Sequence, residues 1–308
     1  MWVEKYRPKV FEEVVGNKEI VEQLKKLVRI EKDIPHILFV GKSGTGKTTL
    51  AYVIKNELQC PLLEINASDE RGIDVVRGKV KLFARTGGEG LKILLLDEAD
   101  MITEEAQHSL RRIMEKYPSC RFIFTANYEN KIIEALRSRT KIFRLQPLTN
   151  DELLQILKRI IEKEGVKISN ENLEKILKLA RGDARQAINI LEAGTVRGNF
   201  EEVFSEVGSL DKFMEVLKKG NIGEARKEMD LILKSQDERQ FLGEIFNFIL
   251  NNPNFIPTNL KSEIVLKIAE YEDRMSRSNY PYIQLFGLVI EMAKIFRRGE
   301  VGRKELGS

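Results

Sequence analysis

Residues 41–48 read Gly-Lys-Ser-Gly-Thr-Gly-Lys-Thr and follow the apolar run Ile37-Leu38-Phe39-Val40. The spacing is G-x-x-x-x-G-K-[ST], a loop suited to holding a nucleoside triphosphate. Gly41, Gly44 and Gly46 let the backbone curl so that successive N–H groups face phosphate oxygens. Lys42, Ser43 and Thr45 lie between them, and Thr49 follows, so Gly41–Thr49 is the candidate binding segment. Lys47 would reach the β- and γ-phosphates, and the Thr48 hydroxyl would ligate Mg²⁺. A helix beginning near Lys47 would aim its positive end at the same anion. The plain alternative is a Gly-rich turn. It leaves the strand in front and the helical run Thr49–Ile54 behind unexplained.

A second string, Lys92-Ile93-Leu94-Leu95-Leu96-Asp97-Glu98-Ala99-Asp100, is a short apolar run ending in acids. It reads as a strand buried on both faces. An Asp at the end of such a strand, beside a phosphate loop, would hold Mg²⁺; here that is Asp97. A following Glu, Glu98, would orient and deprotonate an attacking water. The plain alternative is a solvated acidic turn. The letters Asp-Glu-Ala-Asp also occur in a class of helicases, but no other helicase motif is present.

These residues need elements to position them, and the first half of the chain supplies an alternating pattern. Apolar runs at Ile37–Val40, Leu62–Ile65, Ile93–Leu96, Arg121–Thr125 and Lys141–Leu145 predict strands. Helical patterns predict helices near 18–30, 47–58, 73–85, 104–117 and 130–136. That alternation implies a parallel sheet flanked by helices, with the phosphate loop at a strand's carboxyl end. After Thr149 the strand signal stops. Thr149-Asn150-Asp151-Glu152 caps a helix to about Lys163, Ser169 opens another to about Ala180, and Arg181-Gly182-Asp183 opens a third to about Ala193. Arg197-Gly198-Asn199 reads as a linker. Beyond it the pattern is helical, over 210–219, 222–235, 239–250, 258–275 and 281–297.

Composition sets outer limits. A chain of 308 residues with 42% hydrophobic content can build roughly two or three domains with an ample core. The 51 Lys+Arg against 47 Asp+Glu permit nucleic-acid binding without demanding it, so a local basic face would have to carry it. Cys60 and Cys120 have no metal-ligand spacing and read as buried free thiols, which suits a cytoplasmic setting. His36 and His108 read as structural. The start of the chain carries no signal-peptide pattern, and no run of about eighteen apolar residues suits a membrane span.

Further strings occur in order: Trp2-Val3-Glu4-Lys5-Tyr6-Arg7-Pro8, Val14-Val15-Gly16-Asn17, Arg121-Phe122-Ile123-Phe124-Thr125-Ala126-Asn127-Tyr128, Leu136-Arg137-Ser138-Arg139 and Gly182-Asp183-Ala184-Arg185-Gln186-Ala187-Ile188-Asn189. With the loop and the acid pair, they make the chain resemble the AAA+ clamp loaders, most of all replication factor C small subunits of the archaeal type. The resemblance is strong over 1–200 and holds in length and helical character to about 298. It implies an AAA+ P-loop α/β domain over 1–149, a helical lid over 150–200 and an all-helical collar for oligomerisation over 201–308. It also implies ATP-dependent loading of a ring-shaped sliding clamp (PCNA) onto primer–template DNA. The implied partners are a replication factor C large subunit and other small-subunit copies, with no membrane, in the nucleoid region of a prokaryotic cytoplasm.

Residue roles follow the matched motifs. Asn127 matches the first sensor, beside water or γ-phosphate. Arg185 matches the second sensor, reaching the γ-phosphate from the lid. Arg139 matches an arginine finger that enters the ATP site of the adjacent subunit and stabilises transition-state charge there. With Lys47 and Glu98 these form the candidate catalytic set. Tyr6, Arg7, Pro8, Val14, Val15 and Asn17 would line the adenine side. Arg71, Arg77, Lys81, Arg85 and Arg112 would meet DNA phosphates, with 77, 81 and 85 on one helix face. Met114 and Tyr117 would touch the clamp, and Arg111 would face either DNA or a neighbouring ATP site.

The chain departs from the family pattern at Lys42-Ser43, where prolines usually stand, and at Ala126 and Thr140, where cysteines do. None of these removes a catalytic group. Two rival readings remain at this point. One is another AAA+ DNA machine, a branch-migration motor or a replication initiator. The other is a structural subunit that binds nucleotide without hydrolysing it.

Overall fold

The computed structural model describes residues 1–31, 34–67, 73–85, 90–234 and 236–305. The chain divides into two compact units, 1–195 and 196–308.

The first unit holds a five-stranded sheet of β1 (Ile37–Val40), β2 (Leu62–Asn66), β3 (Lys92–Asp97), β4 (Cys120–Ala126) and β5 (Lys141–Arg144). All neighbours pair in parallel, in the order β2-β3-β4-β1-β5. The helices in this unit are α1 (Trp2–Lys5), α2 (Lys18–Lys25), α3 (Lys47–Leu58), α4 (Ile73–Arg85), α5 (Glu104–Lys116), α6 (Glu134–Arg137), α7 (Asn150–Glu164), α8 (Asn170–Ala180) and α9 (Ala184–Arg197), whose end crosses into the second unit. Alternate strand residues serve opposite faces, as a two-residue strand period requires. Leu38, Leu94, Leu96, Phe122 and Phe124 join one buried cluster with Ala106, Leu110 and Met114. Ile37, Phe39, Ile93, Leu95, Ile123 and Phe143 join the other with Leu24, Leu50 and Ile54. Both faces are therefore covered, which is why β3 is an unbroken apolar run.

Strand order decides what meets what. The phosphate loop leaves β1 and the acid pair leaves β3, and β4 runs between them. Its carboxyl end thus reaches both.

The lid helices start where their caps predict. Thr149 and Glu152 form a reciprocal capping box on α7, at 3.2 and 2.8 Å, and Gly165 ends it with φ 63°. Ser169 caps α8, and Asp183 accepts from the Gln186 N–H at the start of α9, at 2.8 Å. Three expectations shift. The helix expected over 18–30 is α-helical only to Lys25 and continues over Lys26–Glu31 as a wider π-type turn. The helix expected at 130–136 is a 3₁₀ turn, Glu129–Lys131, followed by α6. The expected linker at 197–199 is shorter, because Asn199 caps a further helix, α10 (Phe200–Glu206).

The elements described in the second unit are helices: besides α10 they are α11 (Leu210–Lys218), α12 (Ile222–Ile232), α13 (Glu238–Asn251), α14 (Thr258–Arg277) and α15 (Pro281–Glu305). Their apolar faces merge into one core containing Phe213, Phe241, Ile245, Leu285 and Met292. Phe213 and Phe241 meet edge to face at 5.1 Å. Glu228 is 3% exposed and pairs with Lys212, while accepting from the Ser209 N–H at 3.2 Å, so the buried charge is compensated. Among the described residues, no helix is long and apolar enough to cross a membrane.

Candidate nucleotide-binding site

The loop residues 41–46 leave β1 with the backbone curl expected of them. Gly44 and Gly46 have φ of 66° and 97°, which favours glycine. At Gly44 space also demands it, since any Cβ would strike the Asp183 carboxylate from the lid. The lid meets the loop through backbone as well: Ala184 N–H donates to Gly44 O at 3.1 Å.

An open cleft lies over this loop, lined by residues of the amino-terminal segment, the strand ends and the lid. Ser43 to Leu50 form its floor, Asp97, Glu98, Thr125 and Asn127 one end, and Ile156, Arg159, Ala184, Arg185 and Ile188 its lid side. Val3, Tyr6, Arg7, Pro8, Val14, Val15 and Asn17 close the far side.

Side chains converge on a few atoms. Lys47 Nζ donates to Asn127 Oδ1 at 2.9 Å and to the carbonyls of Gly41 and Lys42 at 2.7 and 2.8 Å. Thr48 Oγ1 donates to Asp97 Oδ1 at 2.9 Å. Thr125 Oγ1 donates to the same oxygen at 2.6 Å and accepts from the Glu98 N–H at 3.0 Å. Asp100, 6% exposed, accepts from the Tyr128 N–H at 3.3 Å and so braces the turn after Asn127. A hydroxyl beside a carboxylate, facing where phosphate oxygens would lie, is a donor set suited to Mg²⁺, which takes few protein ligands and keeps phosphate and water oxygens. Among the described residues no group of three or more His, Cys, Asp or Glu offers a metal an all-protein cage.

Burial pushes the Lys47 ammonium down to about 8, with Asp97 and Asp100 opposing the shift and Arg185 adding to it. Phosphate beside Nζ would favour the charged form again. Nucleotide affinity is therefore expected to hold below about pH 8 and to fall as pH rises through 8 toward the ordinary lysine value, by up to about tenfold per unit. Binding in that window should take up a proton. Titrating a fluorescent nucleotide from pH 7 to 9.5 checks this, and a flat affinity would show that Lys47 stays charged throughout.

The far side of the cleft is tied to the lid. Tyr6 Oη and Lys5 Nζ each bond Glu164 at 2.6 Å, and the Trp2 N–H donates to Glu192 at 2.8 Å. Arg159 pairs with Glu13 at 2.9 Å. Arg7 stacks over the Tyr52 ring at 4.9 Å. Asn17 bonds both N–H and C=O of Gln146, at 2.8 and 3.1 Å.

Arg139 does not line its own chain's cleft. Its guanidinium bonds Glu115 Oε1 at 2.8 Å and Ala135 O at 3.0 Å, and Arg111 shares that carboxylate at 3.2 Å. Arg112 is exposed on α5. Lys81 and Arg85 lie on α4, half-buried and exposed. Arg77 lies on the same helix, its side chain outside the described residues, as is Arg71 altogether. Tyr117 is half-buried at the end of α5. The expectation for Met114 needs correction. It is 3% exposed and packs the sheet core with Ala106, Leu110 and Ile113, so it has no surface to offer a clamp.

Both cysteines are buried and unpaired. His36 Nδ1 accepts the Phe122 N–H at 3.0 Å, and burial, with Arg121 nearby, lowers its pKa to about 4. Sequence reasoning missed Thr125, Arg159 and Glu13. Thr125 carried a signal, as a polar residue inside the otherwise apolar run 122–126; Arg159 and Glu13 carried none.

The pattern of the ATPase family associated with various cellular activities (AAA) matches residues 37–148. The RCF1/5-like AAA+ ATPase lid domain matches 155–196, and the replication factor C C-terminal domain matches 208–291. The chain is 39% identical over 304 residues to the replication factor C small subunit of Archaeoglobus fulgidus, covering 92% of this chain and 94% of that one. It is 42% identical over 298 residues to that of Staphylothermus marinus, covering 89% and 90%. Among solved structures, Thermotoga maritima RuvB, a Holliday junction branch migration motor, superposes with a TM-score of 0.59 at 23% identity, covering 72% of this chain and 80% of that one. At that identity the likeness concerns the fold alone.

Proposed function

This chain belongs to the replication factor C small-subunit family of AAA+ ATPases, and from that premise we propose that it uses ATP to load a ring-shaped sliding clamp (PCNA) onto primer–template DNA. It does so in a complex with a large subunit and further copies of the small subunit, in the cytoplasm near the nucleoid. Residues 1–149 are the nucleotide domain, 150–200 the lid and 201–308 the collar that holds copies together.

The loop from Gly41 to Thr49 and Lys47 hold the triphosphate, and Tyr6, Arg7, Pro8, Val14, Val15 and Asn17 seat the base. Thr48 and Asp97 would hold Mg²⁺, which would supply positive charge to offset that of the triphosphate. Glu98 accepts a proton from the attacking water. Asn127 holds Lys47 and the water's surroundings in place. Arg185 reaches the γ-phosphate from the lid, so that lid position follows nucleotide. Arg139 acts on the neighbour's nucleotide. No covalent intermediate is needed, since positioning and electrostatics lower the barrier.

The observation carrying this reading is the convergence of Lys47, Thr48, Asp97 and Asn127 in one cleft. It occurs in a chain similar to replication factor C small subunits over about nine-tenths of its length.

The proposed DNA contacts are Lys81 and Arg85 of α4 and Arg112 of α5, with Arg71 and Arg77 by sequence, and Tyr117 is the proposed clamp contact. The test is steady-state ATP turnover by the assembled complex, with and without clamp and primed DNA. Turnover should rise when both are added, and the double charge reversal Arg77→Glu, Lys81→Glu should remove the DNA-dependent rise while sparing the basal rate. The log–log salt slope for DNA binding should shrink by about 0.9 for each phosphate that the variant no longer neutralises. Equal loss of basal and stimulated rates would count against these DNA contacts. No stimulation of the unaltered complex by clamp and primed DNA would remove the clamp-loader reading, and no turnover at all would leave a nucleotide-binding structural subunit.

A further inference from the structure

We propose that Thr125 is a positioning residue that aligns the acid pair, fixing Asp97 for magnesium and Glu98 for water. The inference rests on the ATPase reading above and names a further residue of that site.

Thr125 stands on β4 between Phe124 and Ala126, in a strand whose every other residue from Phe122 onward is apolar and buried. It is itself 1% exposed. Valine would suit that place better on packing grounds, because a buried hydroxyl costs free energy unless it is hydrogen-bonded. Here it is bonded in both senses. Its O–H donates to Asp97 Oδ1 at 2.6 Å, and its oxygen accepts the Glu98 N–H at 3.0 Å. Parallel register pairs Leu96 with Phe124, which carries Asp97 and Thr125 side by side at the strand ends.

Each bond has a consequence for the chemistry. Thr48 also donates to Asp97 Oδ1, at 2.9 Å. The carboxylate is thus pinned from the phosphate loop and from β4 through one oxygen, and Oδ2 carries neither bond. On the other side, Glu98 has φ 56°, a left-handed conformation that non-glycine residues rarely take. The bond from its N–H to Thr125 holds the residue in that turn, from which Glu98 lines the cleft. One hydroxyl thereby sets the attitude of both acids.

The test compares Thr125→Val, which keeps the shape of the side chain, with Thr125→Ser, which keeps the hydroxyl, in the assembled complex. A fluorescent ATP analogue is titrated in chelator and then with increasing Mg²⁺. The valine variant should bind it in chelator as the unaltered chain does. It should need about 10- to 100-fold more Mg²⁺ for the magnesium-dependent gain in affinity, and turn over about 10- to 100-fold more slowly at saturating ATP. The serine variant should recover most of both.

Unchanged magnesium dependence in the valine variant would overturn the proposal. So would a serine variant as impaired as valine, or an equal loss of binding in chelator, which would mark a general disturbance of the pocket. If the unaltered complex binds nucleotide but does not hydrolyse it, the hydrolysis reading fails. The magnesium titration still judges Thr125 in that case.

Discussion

Replacing Glu98 by Gln is expected to slow ATP turnover by about 10²- to 10⁴-fold while leaving ATP bound. The amide matches the carboxylate in shape but has no basic oxygen to receive a proton from water. Nothing that grips the phosphates is touched. Lys47 keeps its bonds to Asn127 and the loop carbonyls, and Thr48 keeps Asp97. The link to Thr125 runs through the Glu98 backbone and survives the exchange. Equilibrium binding of nucleotide together with single-turnover hydrolysis separates the effects. Were affinity to drop as far as rate, Glu98 would be shaping the pocket rather than serving the water.

The contrast between Glu98 and Thr125 shows where sequence reading succeeds and where it stops. The phosphate loop and the acid pair are local strings whose chemistry is written in consecutive residues. The strands and lid helices were legible for the same reason, through periodicity and through caps such as Thr149 with Glu152. What joins Thr125 to Asp97 is strand order, with β4 lying between β3 and β1, and no short window carries that. Arg159 and Glu13 meet only because the lid folds back over the amino-terminal segment. Met114 is a different case. Ala106, Leu110, Ile113 and Met114 recur at helical spacing and are all buried, so the phase of α5 already placed Met114 on its core face. The expected clamp contact followed position along the helix and ignored its face.

Replacing Arg139 by Ala is expected to cost about 10³- to 10⁵-fold in turnover, the range over which an arginine finger acts in phosphoryl transfer. The fold should hardly notice, because the pair with Glu115 is solvent-screened and adds little to stability. Affinity for ATP within the altered chain should also persist, since Arg139 does not line that chain's own cleft. The combination expected is thus normal folding, normal binding and almost no hydrolysis. A guanidinium serving only its own helix neighbours would leave the rate intact.

Mixing two inactive chains isolates the trans action. One carries Glu98→Gln and lends an intact Arg139; the other carries Arg139→Ala and keeps an intact Glu98. Assembled together with the remaining subunits, they form some sites with an unaltered loop and acid pair facing an unaltered guanidinium. Turnover by the mixed assembly should rise well above that of either variant assembled alone. A mixture no faster than its parents would mean that Arg139 does not act across subunits.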